Sequence, residues 1–384
     1  MTNDTIHVSL FSSFAQARAA AGGALDGAAQ PGPFDRLGWF EALHASAFPE
    51  ATPLILCARA GPAMAWLFLT GGQDGPVDGI TNWYSFLFRP QFVNAPLRET
   101  RLRLLSALAA RLRGVTPHLR FHPITDEGGT DRALLSDALR TAGWRVIPRV
   151  MAHKRMLHLA PGMRFDAYWA ARPGSLRSTF RRKARQRPVA VDIHHRLDEG
   201  LWSVFESVFA ASWKPEGDDF AFLRAFAQAE ADGGRLRLGV AWLDGAPAAV
   251  ELWTIEQGCA YIHKLAFDER FADASPGTQL SHAMFRQAID LDHATSIDFG
   301  TGDNGYKAAW MPDTVPMWQI DAFDLRHAAS WRPAFATWLS ALSQPTGSHA
   351  RQSSPASGRR AALEAGWPPM SASGSALFKA AGSR

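Results

Sequence analysis

The apolar positions along the chain switch repeatedly between a period of two and helical spacing, which predicts strands alternating with amphipathic helices. Residues 5–10 read as a strand, 14–21 as a short helix and 21–33 as a Gly/Ala/Pro-rich loop. A helix over 35–48 carries Leu37, Phe40, Leu43 and Phe48 on its apolar side. Residues 52–59 and 63–70 form a hairpin across Ala60-Gly61-Pro62, and an aromatic strand is expected over 80–88. A helix over 97–112, a strand over 118–124, a helix over 131–142 stopped by Gly143, and a long or broken strand over 144–159 complete this half.

The second half repeats the order. A basic helical region (165–187) and a strand (189–197) precede two helices, 200–213 and 220–231. A hairpin of 235–243 and 248–255 turns at Asp244-Gly245. The strand 261–267 has Tyr261, His263 and Leu265 facing one way and Ile262, Lys264 and Ala266 the other. After a loop with Ser275, Pro276 and Gly277 comes a helix whose apolar residues, Leu280, Met284, Ala288 and Leu291, fall at helical spacing. The strand 296–300 enters a turn with Gly300, Gly302 and Gly305, then a brief helical piece holding Tyr306, Lys307 and Trp310. A strand over 314–325 closes the unit, and a helix with Trp331, Phe335 and Trp338 is expected to pack across the outside.

This repeated order argues for an α/β fold, an α+β mixed sheet built from two similar units over residues 1–160 and 161–344. The counterpart of the small-residue loop in the first unit, residues 93–101, has no glycine. The first unit is therefore expected to be non-catalytic and to build one wall of a cleft. From 345 to 384 the composition shifts to Ser, Gly, Ala and Pro, and a disordered tail is expected.

Charge changes the picture only in that tail. The formal net charge of +4 matches the five basic residues and single acid of residues 345–384, which leaves 35 basic and 35 acidic side chains in the rest. A DNA-binding fold is not indicated. Two cysteines suggest neither a metal site nor a disulfide framework. The start lacks a signal-peptide pattern and no apolar run is long enough to span a bilayer, so a cytoplasmic protein is expected.

Strand, small-residue loop and helix N-terminus make a pocket for an anion, because the first N–H groups of a helix lack partners and carry partial positive charge. Ser275, Gly277 and Thr278 are small enough to let a phosphate approach; Pro276 has no N–H, so Gly277 and its successors would donate. The loop Ala274–Leu280 and the segment Phe299–Trp310 resemble the GNAT superfamily of acyl-CoA-dependent N-acyltransferases over roughly residues 165–325. More narrowly they resemble the CelD-like domain of cellulose-biosynthesis-type proteins, found in tandem in FemAB transferases. The resemblance implies that acetyl-CoA or another acyl-CoA is held by Ser275, Gly277, Thr278 and Gln279, with a backbone N–H of the strand holding Leu265 donating to the thioester oxygen. It also implies that this strand splays from 296–300 to admit the pantetheine arm.

Acyl transfer to an amine needs proton transfers. Tyr306 is the candidate acid, against a packed aromatic at a helix start. Asp298, at a strand end, is a candidate base or a turn partner for the glycine-rich bend. His263 is a candidate base or a satisfied core histidine. Glu251 stands in an apolar strand, where a carboxylate is costly unless paired or working; it either pairs with Lys264 across the sheet or acts as base. Lys307 and Trp310 are expected to bind substrate. Six basic residues between Arg177 and Arg187 form either a solvated helix face or a site for a polyanion. The expected acceptor is a small-molecule or glycan amine, such as an amino sugar or an envelope or exopolysaccharide precursor, with no metal. Two alternatives remain: a FemAB-type transferase using aminoacyl-tRNA, and a non-enzymatic scaffold in polysaccharide synthesis.

Overall fold

The computed structural model describes residues 5–342, apart from residues 28, 31, 72–74, 126–130 and 214–216. The tail expected over 345–384 lies outside the described residues.

The first half runs β1 (His7–Phe11), α1 (Phe14–Ala21), α2 (Leu37–Ala47), β2 (Leu54–Ala60), β3 (Ala63–Thr70), β4 (Val77–Gly79), β5 (Gln91–Val93), α3 (Arg98–Leu112), β6 (His118–Thr125), α4 (Asp131–Thr141) and β7 (Arg145–His158). The second runs α5 (Phe165–Ala170), α6 (Gly174–Gln186), β8 (Ala190–His194), α7 (Glu199–Ala210), α8 (Phe220–Asp232), β9 (Leu236–Leu243), β10 (Ala246–Glu256), β11 (Cys259–Phe267), α9 (Pro276–Arg286), β12 (Ser296–Thr301), α10 (Gly305–Trp310), β13 (Asp313–Phe323) and α11 (Trp331–Leu342). Side-chain caps start several of these helices. Asp198 accepts from the Leu201 N–H at 2.8 Å, Asp219 from that of Phe222 at 2.9 Å, and Asn304 from that of Lys307 at 3.0 Å.

One expected strand is absent. Residues 80–88 form an irregular segment between β4 and β5, because the Asn82 side chain accepts from the Tyr84 N–H and the Asn82 carbonyl from the Ser85 N–H. Three of its four aromatic residues, Tyr84, Phe86 and Phe88, are buried and serve the core without a ladder, while Trp83 is exposed. The basic region expected over 165–187 is likewise two helices, parted at Pro173, which stands at the N-cap of α6.

The two units form one sheet of thirteen strands in the order β1-β2-β3-β4-β6-β13-β7-β12-β11-β10-β9-β8, with β5 beside β3. The final strands are exchanged. β7, from the first half, pairs antiparallel with β12, while β13, from the second, pairs with β6 and β7. The parallel pairs β4–β6 and β11–β12 occupy matching places in the two units. Arg36 adds a further tie, binding Glu230 at 2.6 Å and also Glu256. The mixed α/β sheet with tandem units is thus present, and exchange joins the units edge to edge.

Candidate active site at the parting of β11 and β12

β11 and β12 pair over three positions only: Cys259 with Ser296, Ala260 with Ile297, and Tyr261 with Asp298. From Ile262 onward β11 keeps β10 as its ladder partner while β12 bends away. The bend has local causes. Gly300 and Gly302 adopt φ of 63° and 107°, and the β12–β7 register shifts between Asp298 and Thr301. Lys307 holds the bent end, donating to the carbonyls of Phe299 at 2.9 Å and Thr301 at 2.6 Å.

A bulge sits at the same point. Leu252 pairs with Lys264 but Trp253 with Ile262, so His263 has no opposite residue. The extra residue reverses the side-chain phase. Lys264, expected opposite His263, shares its side of the sheet and lines the same cleft; Leu265, expected with His263, lies with Ile262 on the α9 face. Glu251, the cross-strand partner of Leu265, therefore faces α9 and does not meet Lys264. Lys264 instead pairs with Asp218 and lies over the Tyr84 ring at 4.7 Å. Burial lowers its pKa, against the pull of Asp218.

On the α9 face a chain of hydrogen bonds forms. The Trp253 indole N–H donates to Glu251 Oε2 at 2.7 Å, the Ser281 hydroxyl donates to Glu251 Oε1, and the Tyr306 hydroxyl meets Ser281 Oγ at 2.7 Å. Because Ser281 spends its proton on Glu251, Tyr306 donates to Ser281. Burial raises the tyrosine pKa, and the Glu251 charge adds to this. Tyr306 stands against Phe299 of β12, with ring centroids 6.2 Å apart, which places the chain beside the gap. Ser281 was not singled out from sequence. Its spacing of four from Gly277, one helical turn along the same face, is the signal that could have found it.

The start of α9 supplies the anion end. Ser275 at its N-cap is left-handed (φ 52°, ψ 52°) and makes no side-chain cap. A Cβ on Gly277 would meet only Phe267 Cδ1, at 3.7 Å, so the approach is open. The N–H groups of Thr278 and Gln279 both reach the Ser275 carbonyl, at 3.1 and 3.3 Å, so the first turn offers fewer donors than its sequence promised. The Gln279 amide is engaged with the carbonyls of Arg187 and Ala274 and fixes the loop. α6 brings Lys183 and Arg187 to Asp273 in the turn before this loop. An open strand edge and a small-residue turn leave room for an extended ligand with an anionic end.

The other expected residues are held by pairing or packing contacts. Asp298 is fully buried, pairs with Lys154 of β7 at 2.6 Å and accepts the Gly300 N–H at 2.8 Å. His263 is packed among Phe34, Phe86 and Phe226, with Nε2 2.8 Å from Thr254 Oγ1; burial pulls its pKa down to about 3. Trp310 is fully buried against Phe285 and Trp169, with its ring 6.3 Å from that of Tyr306. Burial takes Lys307 down to about 8. On the other side of β11 from this hydrogen-bond chain, Trp39, Trp83, Tyr84, Phe222 and Lys264 line a cleft of about 30 Å³. Among the described residues no group of three His, Cys, Asp or Glu side chains is placed to hold a metal, and no helix is long and apolar enough to cross a membrane.

Residues 174–308 match the family model described as an acetyltransferase (GNAT) domain. No curated protein matches the sequence. Among solved structures the chain is similar to FemX, at 12% identity, covering 83% of this chain and 98% of that one, with a TM-score of 0.55. It is also similar to L-PGS from Bacillus licheniformis (13% identity, 72% and 85% covered, TM-score 0.47). A tandem GNAT protein from the clavulanic acid biosynthesis pathway gives 14% identity, 82% and 98% covered, and a TM-score of 0.42. At such identities the likeness to FemX is one of fold.

Proposed function

We propose, from the premise that residues 174–308 are a GNAT domain within a tandem GNAT-like fold, that the protein is an acyl-CoA-dependent N-acyltransferase. Its acceptor is the amine of an amino sugar or of an envelope or exopolysaccharide precursor. One observation carries this reading: β11 leaves β12 at Tyr261, the bulge falls at His263, and the Tyr306–Ser281–Glu251 chain lies beside the opening.

A bound acyl-CoA supplies an acyl group activated as a thioester. The N-terminus of α9, with the Gly277 N–H, favours its diphosphate. The free edge of β11 beyond Ile262 offers N–H groups to the carbonyl oxygen as charge develops there. The attacking amine must lose a proton. Tyr306 accepts it while passing its own proton to Ser281, and Ser281 passes one to Glu251. When the carbon–sulfur bond breaks, the same path runs outward and Tyr306 returns a proton to the thiolate, so the relay ends as it began. The Trp253 indole keeps Glu251 oriented throughout. The first unit contributes no residue to this hydrogen-bond chain; its Trp83 and Tyr84 line, with Lys264, a small cleft across β11 that has room for little more than a water-sized group.

A second reading, in which aminoacyl-tRNA is the donor, is favoured by α6, where Arg181, Arg182 and Arg185 are exposed and the helix touches the turn before α9. Calorimetric titration of acetyl-CoA, with Gly277→Arg as control, tests the choice. Binding by the parent and not the variant supports the first reading. No binding by the folded parent, with transfer from aminoacyl-tRNA, selects the second.

A further inference from the structure

α11 is amphipathic the wrong way round for a helix that merely covers the sheet. Its inward side is small: Ala334 is buried with Ile147 and Phe323, and Ala341 packs beside them. Its large apolar residues point out. Trp331 and Phe335 are each 60% exposed, Leu342 63%, Leu339 47% and Trp338 40%. At helical spacing these five fall within an arc of about 100°. The sequence led us to expect Trp331, Phe335 and Trp338 in the packing; the helix packs through alanines and presents them to the outside.

We propose that α11 docks the protein on an anionic membrane surface, its apolar stripe entering the headgroup boundary and basic groups facing the lipid phosphates. Charge favours this occupant. α11 carries Arg332 and no acid, and Arg145 and His327 beside it are exposed. The nearby acids are buried: Asp324 is shared by Arg113 and Arg326, and Asp321 by His118 and Arg149. The sequence that follows, 345–384, has five basic residues against one acid. An aromatic stripe with exposed basic groups beside it gives the two signals that stable interfacial binding takes. A second copy fits less well, because a two-fold contact would set Arg332 and Arg145 against their own counterparts.

The test is sedimentation of the full chain with vesicles of phosphatidylcholine and phosphatidylglycerol, and with phosphatidylcholine alone. The parent is expected to bind the anionic vesicles, to bind neutral ones far less, and to be released by salt. Phe335→Glu with Trp338→Glu should weaken binding about tenfold or more while leaving the unfolding midpoint in place. No binding by the parent, or equal binding by the variant, would overturn the proposal. So would a parent dimer that the variant turns into a monomer.

Discussion

Lys154→Met removes one half of an ion pair in which both side chains are fully buried, on β7 of the first unit and β12 of the second. The pair spans 144 positions of sequence and sits at the strand exchange. Deleting one member of such a pair typically costs about 3–5 kcal/mol, because a charge remains without its counterion. Here the cost should lie near the lower end, about 3 kcal/mol. Asp298 keeps the Gly300 N–H, and Lys307 lies close enough for its charge to be felt. Adding Asp298→Asn removes the stranded charge and should restore all but about 1 kcal/mol. Urea unfolding followed by far-ultraviolet dichroism and by fluorescence reads both variants, given that the two probes report one transition. If Lys154→Met costs less than about 1 kcal/mol, or the double variant is as unstable as the single, the pair does not hold the exchanged strands and the reasoning fails.

His263 stays neutral in the fold down to about pH 3, whereas the unfolded chain takes up a proton below the ordinary value of 6.5. Unfolding therefore binds a proton between those limits, and stability should fall as pH drops from 6.5 towards 3, by at most about 4–5 kcal/mol at 1.36 kcal/mol per pH unit; His263→Gln should flatten that slope in thermal melts at stepped pH. Tyr306→Phe should lower kcat about 100-fold or more with little change in donor affinity, and Ser281→Ala should approach the same loss because it cuts the same chain; thiol release from acyl-CoA measures both, and an unchanged kcat in either variant would dismiss the relay. Gly300→Ala forces an alanine to φ 63° and sets its Cβ 2.8 Å from the Phe86 ring. About 2–5 kcal/mol of stability should go with it, and a melt matching the parent's would deny that this bend is strained for other residues.

How much of this was legible from sequence depends on whether a feature is local. The order of elements is local, and it could be read because strands and helices leave different periods. The loop before α9 and the tyrosine after β12 were legible for the same reason: small residues and a lone hydroxyl stand beside clear elements. The facing of β11 was not. Alternation assigns sides only while every residue has a partner, and a single unpaired residue at His263 reversed the assignment of Lys264 and Leu265. Glu251 is a carboxylate in an apolar strand, and it is met not by Lys264 across the sheet but by the Ser281 hydroxyl, on a helix 30 residues on, which alternation along β10 does not indicate.

The same limit applies to the exchange of β7 and β13, and it bears on how β12 can part from β11. A strand's sequence records that it is buried, not which strand lies beside it, so nothing in residues 144–159 announces β12 as a neighbour. The exchange gives β12 an antiparallel partner on the side away from β11. A strand held only by β11 could not part from it without becoming a free edge, with the unpaired N–H and C=O groups that entails. Held by β7 and by the buried Lys154–Asp298 pair, β12 can bend off at Gly300 while the sheet remains continuous. The first unit repeats the parallel pair as β4 and β6, but residues 93–101 lack a glycine. What the first unit visibly supplies is β7, the strand against which β12 bends away from β11.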